Sequence, residues 1–330
     1  QMCIRDRGSV RCGRLPCHAF PRSAQYRRSM TAARHALTVA GALGIDTNVY
    51  PAGDRVGAEM TFAHTTDGLG GAGCYSALAS AALGVSTRAI GAIGDDRLGA
   101  WIREALADAG IELTELRDPG GTHRSVNIVS TDGSRRNYFD ARGVNETVVD
   151  LEACRAAIEG SGVVHVHLDD WCRRILPLAR ESGAVVSVDL QDVTDIDEPY
   201  RAEFVAVADI LFMSAANLDD PAGAALELVR RRDGRIVIVG AGAEGCLVAH
   251  QDGLDRYPAV DLPDAPVVDT NGAGDNLAIG FLVAHVLEGL PLAQATWQAQ
   301  LGARWICSQR GDRKQPATRE VVASLARRAT

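Results

Sequence analysis

The sequence is nearly devoid of lysine: Lys314 is the only one, set against 33 arginines. Two chemistries fall away with it. A P-loop nucleotide site needs G-x-x-x-x-G-K-[ST], and Lys314 has no such context. A Schiff-base mechanism, which also rests on a lysine, is disfavoured for the same reason. Long apolar runs are missing too. The best candidate, FLVAHVLEGLPLA, is broken by His285 and Glu288, so no transmembrane helix is expected. The eight cysteines include no C-x-x-C pair and no regular spacing. Free thiols in a reducing, cytoplasmic setting are the expectation, and no zinc cluster.

What is present suits a globular protein. The chain has 330 residues, 46% apolar and 23% charged, enough for one large domain with a full core. A net charge of −8 argues against nucleic acid or an anionic membrane as the main partner. The charge is uneven, because residues 1–35 hold eight Arg and one Asp. This stretch lacks apolar periodicity and reads as a disordered or non-native basic tail, with Met30 as the expected start. An Arg-rich targeting leader is the alternative.

From residue 36 to 330 short β-rich runs alternate with helical patterns. The strand candidates are LTVAGALGI, TRAIGAIG, VVHVHL, AVVSVDL, DILFMSA and RIVIVGA; helix candidates such as CYSALASAALG and AALELVRRRDG lie between them. The alternation predicts an α/β fold with a mostly parallel sheet and helices on both faces, with ligands at the carboxyl ends of its strands. Segments 55–67 and 122–140 break the pattern. Both read as β-structure, the second with a hairpin signal at Asp132-Gly133, and together they predict a small β-lid.

The segment VVDTNGAGDNLAIGFL, residues 267–282, carries the strongest chemical signal. A strand over Ala265–Val268 is expected to run through Asp269 and Thr270 into a Gly-Ala-Gly turn and an apolar helix. Backbone amides at a helix mouth favour an anion. A carboxylate in the same turn would repel a merely bound anion. Asp275 makes sense as a proton acceptor while the amides hold phosphoryl charge, although a plain N-capping aspartate fits the spacing as well.

DTNGAGD closely resembles the D-T-x-G-A-G-D signature of the ribokinase-like PfkB carbohydrate kinases. The resemblance implies a three-layer α/β/α fold with a β-lid, Mg·ATP as phosphoryl donor, and a hydroxymethyl group of a sugar or sugar-like molecule as acceptor. It implies Asp275 as catalytic base and Gly272, Ala273 and Gly274 as anion hole. Asn276 and Leu277 depart from the family pattern near the sugar. GLGGAGCYSALASAALG resembles the family's Gly-Gly sugar-binding block, which assigns Gly70 and Gly71 to the acceptor. Tyr75 stands where relatives carry Asn. Asp46 resembles the first-strand aspartate that accepts sugar hydroxyls.

On the nucleotide side, Asn217 and Asp220 resemble an N-x-x-E motif near Mg²⁺, with Asp in place of Glu and an outer-shell role for Asp220. Gly242 and Gly245 resemble the loop bordering ATP, and Asp269 and Thr270 of the signature are assigned to the nucleotide with them. Read literally, IVIVGAGAEG also matches a dinucleotide-binding turn, but the following CLVAHQDGLDRYPAV looks like two strands rather than the required helix. GAIGDDRLGAWIREALADAGIEL resembles a further family block, whose Gly94, Asp96 and Gly99 are read as structural. His165 and His167 are read as strand-end packing rather than a metal pair. Arg136, Tyr138 and Arg142 stand near the lid, where they would meet an acidic sugar or simply face solvent. In some relatives the last loop, here WICSQRGDR, helps to bind a monovalent cation, and lids often pair, leaving a homodimer through the lid as a further expectation. Two rival functions stay open: a nucleoside kinase with Tyr75 stacked on the base, and an inactive sugar or nucleoside sensor on the same fold.

Overall fold

A computed structural model describes residues 35–52, 62–130, 135–140 and 146–328. The basic tail lies outside these, as do the first part of the first lid segment, the Asp132-Gly133 turn and Arg142.

Among the described residues, thirteen strands form two sheets. They are β1 (His35–Ala40), β2 (Gly44–Pro51), β3 (Ala63–Gly70), β4 (Thr87–Ile93), β5 (Glu112–Arg117), β6 (His123–Val129), β7 (Arg135–Asp140), β8 (Ser161–Val166), β9 (Val185–Asp189), β10 (Ile210–Ser214), β11 (Ile236–Gly240), β12 (Cys246–His250) and β13 (Gly253–Tyr257). The nine-stranded sheet has the order β13-β12-β11-β10-β9-β8-β1-β4-β5. It is parallel from β11 to β5, and the β12–β13 hairpin closes one edge antiparallel. That hairpin is the two-strand continuation read after Gly245, so the literal dinucleotide match opens no helix.

The helices are α1 (Ala72–Ala82), α2 (Arg97–Asp108), α3 (Leu151–Ile158), α4 (Leu176–Glu181), α5 (Ala202–Val207), α6 (Pro221–Arg230), α7 (Ala273–Phe281), α8 (Leu292–Cys307) and α9 (Arg319–Arg328). They divide between the two faces of the sheet, which is why central strands are apolar on both sides. Leu211, Met213, Val237 and Val239 pack with α3 to α6. Ile210, Phe212, Ile236 and Ile238 pack with α1, α2, α7 and α8. Arg235 is 2% exposed and donates to the carbonyls of Val205, Ala208 and Leu228, joining α5 and α6 to the start of β11. Asp96 caps α2 through the Gly99 amide and holds Thr122 through its amide and hydroxyl, the structural role expected of it.

Two sequence readings need correction. LTVAGALGI is not one strand. It contains β1 of the large sheet and the start of β2, which belongs to the lid. Gly41–Leu43 form the corner, where a Cβ on Gly41 would lie 2.7 Å from the His167 ring. Asp46 is therefore the third residue of a lid strand, not the end of a core strand. Ala265–Val268 is no strand either: Val268 and Asp269 both donate to the Cys307 carbonyl, so the end of α8 takes the amides a sheet would have used.

The lid is a four-stranded sheet of order β3-β2-β6-β7, with the β2–β6 pair parallel and the outer pairs antiparallel. β6 alternates strictly. His123, Ser125, Asn127 and Val129 face inward, where Phe139 of β7 meets the His123 ring edge-on, and Arg124, Val126 and Ile128 face solvent beside Tyr138. β3 runs straight into α1, which puts Gly70 and Gly71 at the junction of lid and core.

Candidate active site

The signature turn is built from both ends of its own loop. Asp269 is fully buried, and its Oδ1 receives the Asn271 amide at 2.9 Å. Gly272 caps α7 at φ 78°, a left-handed conformation in which a side chain would be strained, and a Cβ there would sit 3.0 Å from the Tyr75 ring. Asn276 is buried and donates to the Gly272 carbonyl at 2.8 Å, so this departure from the family pattern braces the turn. The amides of Gly274 and Asp275 lie in the first helical turn, out of reach of any carbonyl of the same helix. Gly274 borders open space. Ala273 differs, because its amide turns back to the Thr270 carbonyl at 3.2 Å.

Asp275 sits half-buried in that first turn, as the sequence placed it. Ser76 of α1 donates to its Oδ1 at 3.5 Å, and His167 Nε2 lies 3.0 Å from the same hydroxyl. His167 is fully buried, and burial pushes its pKa down to about 3. Ser76 thus stands between a neutral imidazole and the Asp275 carboxylate. His165 packs edge-on to His167, with ring centroids 4.7 Å apart, and pairs with Ser187. The two imidazoles pack against each other at the end of β8, and His167 also reaches the site. Asp189, at the end of β9, brings a carboxylate oxygen close: one ligand atom each from His167, Asp189 and Asp275 lie within 4.8 Å of one another.

Burial pushes Asp189 up to about 6. A carboxyl group raised above its usual 3.8 destabilises the fold when ionised. The cost is full above pH 6 and vanishes below about pH 4. Asp189→Asn, which keeps an oxygen for the Gln191 amide, is expected to stabilise the protein by about 3 kcal/mol at pH 8 and by almost nothing at pH 4. Denaturant titrations at the two pH values measure this, and an equal effect at both would refute it.

The acceptor end is a cluster around Asp46, 4% exposed. Its Oδ2 accepts from the Tyr75 hydroxyl at 2.6 Å and from Asn271 Nδ2 at 2.9 Å. Gly70 must be glycine here, since a Cβ would stand 2.4 Å from the Asp46 carboxyl carbon, and one on Gly71 would meet the Ala42 carbonyl. Burial, and then the Asp46 charge, raise the Tyr75 pKa well above its ordinary value, so it stays a donor. The structure brings together Asp46, Gly70, Gly71, Tyr75, Asp269 and the Gly272–Asp275 turn.

The nucleotide-side residues follow two adjacent strands. Asn217 and Asp220 lie exposed after β10, and Gly242 and Gly245 lie after β11, both with positive φ. Ser214 of β10 pairs with Gly240 of β11. Asp220 caps α6 by accepting the Gly223 amide at 2.9 Å, which accounts structurally for one of its oxygens. Thr270 is exposed at the turn.

The sequence reading missed Asn271, Tyr50, Ser76, Asp189 and Lys314. Tyr50 donates from the lid to Asp269 Oδ2 at 2.9 Å and accepts the Gly311 amide at 2.8 Å. Asn271 lay inside the quoted motif, whose variable position hid its role. The others come from segments far apart in the chain.

Comparisons with known proteins bear on the family and the fold. The family model described as pfkB family carbohydrate kinase matches residues 35–319. The acarbose 7(IV)-phosphotransferase of Actinoplanes sp. is 31% identical over 68% of this chain and 76% of its own. The ATP-dependent ribose-1-phosphate kinase of Halopiger xanaduensis is 33% identical over 78% and 87%. Among solved structures, the microbiome-derived acarbose kinase Mak1 superposes with a TM-score of 0.80 at 32% identity, covering 89% of this chain and 99% of that one. Ribokinase from Thermotoga maritima, at 19% identity and a TM-score of 0.71, shows the same fold over 89% and 99%. With an aspartate in the mouth of a glycine turn and a lid over the strand ends, this chain belongs to the pfkB family of carbohydrate kinases.

Proposed function

We propose that this kinase moves the γ-phosphoryl group of ATP onto a hydroxymethyl group of a sugar-like acceptor, with Asp275 as general base. The observation that supports it is the convergence of Asp275, the first-turn amides and the Asp46 cluster on one helix mouth. Asp46 accepts hydrogen bonds from acceptor hydroxyls, with Gly70 giving its carboxylate room and Gly71 letting α1 start close against Ala42. Asp275 takes the proton of the attacking hydroxyl, whose oxygen bonds to the γ-phosphorus as the bridge to ADP breaks. The Gly272 and Gly274 amides stabilise charge on the moving group. Asn217, Gly242, Gly245 and Thr270 border the nucleotide.

The residues present fit a magnesium ion. Asp189 and Asp275 crowd two carboxylates together, which repel when both are ionised. Asp220, exposed beside the helix it caps, would hold the ion through water, the usual manner for Mg²⁺. When bound there, it would supply positive charge to offset that of the transferring phosphoryl group.

The names of the relatives guide the acceptor. ADP release with acarbose, ribose-1-phosphate, free sugars and nucleosides is the test. A sugar-like acceptor is expected to stimulate it most. Turnover with nucleosides alone would replace the acceptor assignment. Tight ligand binding without ADP release from any acceptor would favour the sensor reading. A homodimer through the lid is proposed from its exposed apolar face, Val126, Ile128 and Tyr138. Ultracentrifugation of Val126→Glu beside the unaltered protein checks it.

A further inference from the structure

We propose that Lys314 is a cation built into the chain, which holds the signature turn in its anion-binding shape and spares the enzyme a bound monovalent metal ion. The proposal rests on the reading of this turn as the phosphate site.

Lys314 follows the single 3₁₀ turn Gly311–Arg313 between α8 and α9. Its side chain is 5% exposed. Its ammonium donates to the Asp269 carbonyl at 3.2 Å and to the Asn271 carbonyl, and lies 3.2 Å from Asp269 Oδ1. Three oxygens of one turn thus surround a point charge with three protons. In a chain that otherwise uses arginine throughout, the choice of lysine is informative. A planar guanidinium fork suits carboxylates in a plane, whereas a compact ammonium suits oxygens converging from several directions.

The consequence for the turn follows from peptide geometry. In a planar trans peptide the carbonyl of one residue and the amide of the next point in opposite directions. With the Asn271 carbonyl drawn to Lys314, the Gly272 N–H points to the other side, outward at the helix mouth. The ammonium also offsets the Asp269 carboxylate, which is fully buried in the same turn and would otherwise oppose incoming phosphates. Lys314 is therefore a positioning residue, acting through the backbone of residues 269–272.

The experiment compares the unaltered protein with Lys314→Ala in choline, potassium and ammonium chloride at equal ionic strength. It reads melting temperature, affinity for a non-hydrolysable ATP analogue, and ADP release. The unaltered protein is expected to behave alike in the three salts. Lys314→Ala is expected to lose about 10²-fold in kcat in choline. Ammonium or potassium is expected to restore at least 10-fold of it, tighten the analogue several-fold and raise the melting temperature by about 2 °C, because a small cation enters the vacated cage. A variant indifferent to the three salts would overturn the proposal. So would unaltered protein that loses most of its activity or analogue affinity in choline. If Lys314→Ala does not fold, Lys314→Met takes its place: wild-type analogue affinity in that variant refutes the role, and a several-fold loss with the fold intact supports it. Melting and analogue binding require no acceptor, so they stay readable if the acceptor assignment fails.

Discussion

Asp275→Asn is expected to lower kcat by about 10²- to 10⁴-fold, the usual share of general base catalysis. The substitution keeps size and shape, so α7 and its amides should persist. The amide cannot take the proton that the attacking hydroxyl must lose. Affinity for an ATP analogue is therefore expected to stay within a few-fold of the unaltered protein, because the Gly272 and Gly274 amides remain. Steady-state ADP release and calorimetry with the analogue separate these quantities. Near-normal turnover would remove Asp275 from the role of base. A parallel collapse of nucleotide binding would mean that the carboxylate mainly builds the turn.

Asp46→Ala carries the second large effect, and it should fall on the acceptor. Asp46 is buried, and its Oδ2 accepts hydrogen bonds from Tyr75 and Asn271. A hydrogen bond to a charged group contributes about 1.5–3 kcal/mol, and donors left without an acceptor add their desolvation cost. A fall of about 10²- to 10³-fold in kcat/KM for the acceptor is expected, with KM for ATP little changed. An equal loss toward both substrates would show that the variant had disturbed the turn through Asn271 rather than the acceptor floor. Substrate-saturation curves for each substrate distinguish the outcomes.

The layered core was legible because its signals are local. Alternating β-rich and amphipathic runs gave the parallel sheet, and the CLVAHQDGLDRYPAV hairpin was read correctly against a tempting dinucleotide motif. Where the reading failed, a local pattern had two structural solutions. LTVAGALGI is apolar but for Thr38, and its glycines at 41 and 44 suit a buried strand as well as the corner that sends β2 into the lid. Val267 and Val268 look like a strand, but their segment finds its hydrogen-bond partner at the end of α8. The candidate site divides the same way. Asp275, Gly272 and Asp46 sit in recognisable motifs. Tyr50 lies 219 residues from its partner Asp269, and Lys314 lies 43 residues from Asn271. No periodicity or spacing reports a contact of that range.

The scarcity of lysine has a practical side. Amine-reactive labels and acylating modifications act on ε-amino groups, and this chain offers one, tucked beneath the signature turn. Coupling chemistry that decorates most enzymes at random would leave its side chains unmarked while the turn is closed. Label uptake at position 314 would then report, molecule by molecule, how often the active site comes apart.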